Sequence, residues 1–71
     1  MVKYELSGEE TLAVDRHEGA AYLYANKAGF NVLAKIFAQL ADGTHEGGYH
    51  LHLQKDFGES GPDVITIVLN D

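Results

Sequence analysis

The chain has 71 residues, 45% of them hydrophobic, with eleven acids against five bases for a formal net charge of −6 and no cysteine. This is the make-up of one small folded domain, not a disordered chain, and it excludes disulfide staples and thiolate metal sites. The negative balance disfavours nucleic acid and anionic lipid as partners and favours a basic protein surface.

A domain of this length buries only ~60% of the surface that its unfolded chain exposes. Burial then leaves a net stability of about 3–5 kcal/mol, so a second subunit is one natural source of extra core. No apolar run reaches the ~18 residues that span a bilayer. Residues 1–10, MVKYELSGEE, hold no apolar segment of signal-peptide length. With the lack of cysteine, this gives the expectation of a soluble cytoplasmic protein.

In chain order, residues 2–6 (VKYEL) alternate apolar and polar and predict a strand. Ser7 and Gly8 have turn chemistry. Residues 11–14 (TLAV) predict a second short strand with Leu12 and Val14 on one face. The polar stretch 15–19 (DRHEG) ends in glycine and reads as a loop. Residues 20–25 (AAYLYA) predict a third strand with Tyr22 and Tyr24 on one face and Leu23 on the other.

Asn26 then has the chemistry of a helix N-cap. After it the period changes: Phe30, Leu33, Phe37 and Leu40 recur at spacings of three and four, with Val32 and Ile36 widening the stripe. Asn31, Lys35, Gln39 and Asp42 fall on the opposite side. This predicts an amphipathic helix closed by Asp42-Gly43, with Gly29 a weak point in its first turn. Residues 44–48 read as a linker. Tyr49, Leu51 and Leu53 alternate with His50, His52 and Gln54, which predicts a half-buried strand. Residues 55–62 make a turn-rich loop, and residues 64–69 (VITIVL) predict a central strand covered on both faces.

The expected fold is therefore α+β, a single domain over residues 1–71. Its elements run β-β-β-α-β-β, forming one small sheet of four to five strands with the helix packed on one face. The last two strands form a hairpin. The helix covers Tyr49, Leu51 and Leu53, and His50 and His52 point away from it.

His50 and His52 lie ~6.5–7 Å apart along one strand face. Two imidazoles at that spacing can share a metal, but zinc takes three or four ligands. His17, His45, Asp56 and Asp63 supply the rest only if loops bring them close, and their spacing matches no zinc module. The plainest reading of the pair is a solvated strand face; a recognition face is the functional one. No serine stands beside a base and an orienting third group, so no nucleophilic centre is expected, and no cofactor. The glycines form no phosphate loop. The tyrosines lack the flanking positive charge of a nucleic-acid platform. What remains is a compact acidic domain with exposed histidines and acidic loops, whose plain reading is solvated surface and whose functional reading is a protein-binding module that presents an anionic face to a basic partner. His50, His52, Asp56, Glu59 and Asp63 are its candidate contact residues. The alternatives are a metal or small-ligand binder through His50 and His52 and a self-associating domain.

Three segments, NKAGFNVLAKIFAQLADG, GYHLHLQKDF and SGPDVITIVLN, carry a family pattern. It comprises Asn26 and Gly29 at a helix start, the helix to Gly43, the His50-x-His52 strand, and a Gly/Ser turn with Asp63 before the last strand. Over roughly residues 24–70 the chain resembles the immunity protein 32 family of bacterial polymorphic toxin systems. Gln54 and Lys55 depart from the pattern, which has an acid directly after the strand. The resemblance implies a small, non-catalytic α+β protein of the cytoplasm that binds and neutralises a toxin, and a basic toxin domain as its partner.

Overall fold

A computed structural model describes residues 1–71. The elements are β1 (Ala13–His17), β2 (Ala20–Tyr24), α1 (Lys27–Ala41), β3 (His50–Gln54), a 3-10 turn (Lys55–Phe57) and β4 (Asp63–Val68). The fold is α+β as expected, but the single sheet is not formed. β1 and β2 make one antiparallel two-stranded sheet, and β3 and β4 make another.

The helix follows from its first and last turns and its stripe. The Asn26 side chain accepts the N–H of Gly29 at 2.8 Å, and Gly43 at φ 85° supplies the left-handed residue past the Asp42 cap. Val32, Leu33, Ile36 and Leu40 are buried against Leu12, Leu53 and Phe57. Phe30 and Phe37, expected in that stripe, sit at its margin and are 48% and 49% exposed. The stripe instead centres on Gly29, which is buried because the chain crosses closely: a Cβ there would collide with the carbonyl oxygen of Thr11. Gly29 is a contact point and not the weak point that helix propensity suggests.

Residues 2–6 form no strand. Their alternation is nevertheless expressed in packing, since Val2 and Tyr4 lie against the core. A side chain takes the place of the neighbouring strand. The Gln39 amide accepts the Lys3 N–H at 2.8 Å and donates to the Lys3 carbonyl at 2.6 Å. The Val2 N–H donates to the Tyr49 hydroxyl oxygen at 3.0 Å. Gln39, expected on the solvent side of the helix, is thus a backbone partner. A tight turn follows: the Glu10 carboxylate accepts the N–H groups of Ser7 and Gly8 and the Ser7 hydroxyl at 2.9–3.1 Å. Those bonds, the Ser7 N–H first among them, pull the Glu10 carboxyl down to about 2.

The second strand begins later than expected and runs through Asp15, Arg16 and His17. Glu18 (φ 52°) and Gly19 (φ 82°) form the two-residue connection to β2. Positive φ at both central residues matches the right-handed twist of a hairpin. These polar residues escape a periodicity reading because both faces of this hairpin end are wet.

Two things keep the sheets apart. Residues 55–57 turn away from the ladder, with Asp56 (φ 54°) and Phe57 (φ 59°) in the left-handed region. In addition, the link toward β1 is a two-bond clamp and not a ladder. The Asp56 N–H donates to the Leu12 carbonyl at 2.9 Å, and the Leu12 N–H donates to the Asp56 carboxylate at 2.8 Å. β4 also departs from expectation. Only one face of it is covered, and Thr66 and Val68 are exposed on the other. The chain has one helix of any length, so nothing is available for a second layer.

Candidate functional site

Alternation places the histidines. Leu53 is buried and Leu51 half-buried against the helix, so His50 and His52 turn to the uncovered face of β3. In the antiparallel register His50 stands opposite Val68, and His52 opposite Thr66. The two rings meet edge-to-face with centroids 5.2 Å apart. A register shift between Leu53 and Gln54 pairs Gln54 with Asp63 and bulges the opposing strand. Asp63, expected in the loop, becomes the first residue of β4, and its carboxylate lies 2.8 Å from His52 Nδ1.

The arrangement fixes what His52 can do. Nδ1 faces both the Asp63 carboxylate and the Thr66 hydroxyl, the latter at 3.1 Å. A proton on Nδ1 donates to Asp63 and leaves Nε2 as the second polar position of the ring. A nucleophile–base–orienter triad needs hydroxyl and carboxylate on opposite ring nitrogens; here they share one. His50 Nδ1 is 3.1 Å from the Gly48 carbonyl oxygen. No three His, Asp or Glu residues converge as metal ligands around the pair, so the donors a zinc centre takes are not assembled.

The candidate acids divide. Asp63 joins the histidine face. Glu59 is exposed on the connection between β3 and β4. Asp56 lies elsewhere in role, because one carboxylate oxygen and its own N–H are both engaged by Leu12. The one surface depression is lined by Lys3, Tyr4, Glu5 and Lys35 and by none of these candidate residues.

A family model, Immunity protein 32, matches residues 22–71. The chain belongs to the immunity protein 32 family. The match takes in the last three residues of β2, all of α1 and the β3–β4 hairpin, including the His50-x-His52 strand and Asp63. No curated protein and no solved structure matches the chain. No helix of this family member is long and apolar enough to cross a membrane.

The family member also has a second aromatic cluster that sequence reading did not assemble. Pairing of Ala13 with Tyr24 and Asp15 with Tyr22 puts His17, Tyr22, Tyr24 and Asp15 on one face of the first hairpin. The Tyr22 and Tyr24 rings stack at 6.4 Å, His17 meets Tyr22 edge-on at 5.0 Å, and His17 Nε2 is 3.6 Å from Asp15. The available signal was Glu18-Gly19, a two-residue glycine turn that brings Asp15 and His17 across from the tyrosines.

Proposed function

We propose that the protein neutralises a toxin by binding it in the cytoplasm, with no catalysis, cofactor or nucleic acid involved. Membership of the immunity protein 32 family carries this reading. The uncovered face of β3–β4 supports it, since His50, His52 and Asp63 are exposed there and do little for the core. These residues, with Glu59 beside them, are the proposed contacts for a basic toxin domain. Charge complementarity between an acidic binder and a basic partner raises the association rate and selects the partner. Sequencing the adjoining genes and co-expressing this chain with a toxin found there tests the reading, and the absence of any such toxin gene counts against it. Growth should be restored and a stable complex purified; a toxin that kills equally with and without this chain would remove the reading.

A homodimer is the second reading, favoured by the two unpaired strand edges that each two-stranded sheet leaves. Light scattering over a dilution series decides it.

A further inference from the structure

The first hairpin is poorly explained by folding alone. All five residues of β2 are exposed, Tyr22 at 47% and Tyr24 at 49%. Yet their rings stack on one another, and His17 meets Tyr22 edge-on. Tyrosine is the residue type enriched at binding hot spots, because it offers a large amphipathic surface at low entropic cost. Ordered rings reduce that cost further.

The area of the whole molecule points the same way. The protein exposes 5165 Å², whereas a compact monomer of 7.7 kDa exposes roughly 4,300 Å². The excess of about 800 Å² belongs to the whole chain, and β2, exposed at all five residues, contributes to it.

Charge selects the occupant. The tyrosine face carries Asp15, and Glu18 stands at its turn. The hairpin's only base, Arg16, alternates to the opposite face, where its guanidinium donates to the Gly19 carbonyl at 2.9 Å. Two copies of this face would set acid against acid in chains that each carry −6. A basic protein surface meets no such repulsion, and its Lys and Arg side chains can also lie over the tyrosine rings.

We infer that the Asp15/His17/Tyr22/Tyr24 face of the β1–β2 hairpin is an anchoring surface for a basic protein domain. The inference rests on the toxin-binding reading and locates its strongest contacts outside the histidine face. The probe is a purified toxin domain whose gene adjoins that of this chain, titrated against the wild-type chain and against Tyr22→Thr and Tyr24→Thr, which keep a strand-favouring residue at each position. Each substitution should weaken binding by about 30-fold or more, with circular dichroism and urea midpoint unchanged. Wild-type association should also slow as sodium chloride is raised. Wild-type binding that both threonine variants retain in full overturns this surface and leaves the toxin reading standing. Failure of the wild type to bind overturns both. A wild-type dimer that the threonine variants dissociate assigns the face to a second copy and overturns the basic-partner inference.

Discussion

Replacing Asp56 separates a contact that holds the fold from one that waits for a partner. Its N–H and carboxylate close on Leu12 from both directions at 2.9 and 2.8 Å, and its backbone is left-handed at φ 54°. Asp56→Ala removes the acceptor and strands a donor on Leu12, which is fully buried, at about 1–3 kcal/mol. It also puts a Cβ without a compensating polar group into the left-handed region, at about 1–2 kcal/mol. A loss of about 3 kcal/mol is most of the stability that a domain this small can hold. Asp56→Asn keeps the acceptor oxygen and tolerates the same backbone. It gives up only the charge assistance of one hydrogen bond, about 1 kcal/mol. Asp56→Gly relieves the backbone but still lacks the acceptor, so it falls between the two. Urea unfolding followed by helix circular dichroism reads all three. With a slope near 1 kcal/mol per molar, the alanine variant's midpoint should drop by about 3 M and the asparagine variant's by about 1 M. An alanine variant within about 0.5 kcal/mol of wild type would refute the clamp. Equal losses for asparagine and alanine would show that charge matters and the two-bond geometry does not.

Gly29→Ala should destabilise the protein by about 1–3 kcal/mol in thermal or urea unfolding, because overpacking against the Thr11 carbonyl outweighs the ~1 kcal/mol that alanine gains in a helix; a stabilised variant would show that the crossing is loose. Glu10 binds its proton less tightly in the folded chain, at about 2 against an ordinary 4.5. Its contribution is therefore complete above about pH 4.5 and lost as the pH falls toward 2. Glu10→Gln should accordingly flatten the acid limb of stability over that range, and an unchanged limb in urea titrations at several pH values counts against the turn network. His50→Ala with His52→Ala should leave the unfolding midpoint within about 0.5 kcal/mol of wild type, as exposed positions do, while lowering affinity for the toxin domain in calorimetry. Unchanged affinity would take these residues out of the contact surface.

The helix and the second hairpin were legible because their periods are carried by side chains that face one core. Val32, Leu33, Ile36 and Leu40 repeat with the helix, and Leu51 and Leu53 alternate with the histidines. The outward placement of His50 and His52 follows from that alternation alone. Phe30 and Phe37 misled because three-and-four spacing fixes a stripe's direction but not its centre, and the centre was set by the close crossing at Gly29. Residues 2–6 carry a strand's alternation yet pair with the Gln39 amide, a partner thirty-six positions away that no local pattern encodes. Residues 15–17 hide their strand because neither face is covered. Asp56 looked like any loop acid, since nothing in its neighbourhood announces Leu12, forty-four positions upstream.

These contacts divide the molecule by side. The helix side is closed by residues from the whole chain: Val2, Tyr4 and Leu12 complete a core whose other members lie within the family-matched residues 22–71. The bonds that fasten this side are few and specific. Asn26 alone accepts the N–H groups of Thr11 and Gly29 with its side-chain oxygen, donates its side-chain amide to the Glu9 carbonyl and donates its backbone N–H to the Thr11 hydroxyl oxygen, tying the helix start to the segment before β1. The outward residues of the two hairpins lie outside that core. His17, Tyr22 and Tyr24 are exposed on one sheet and His50 and His52 on the other, each set with an aspartate within 3.6 Å of one histidine. Aromatic rings that are ordered, wet and unneeded by the core are what a preorganised binding surface requires. Substitutions on the helix side should therefore move stability and affinity together through loss of the fold, and those at the outward residues of either hairpin should move affinity alone.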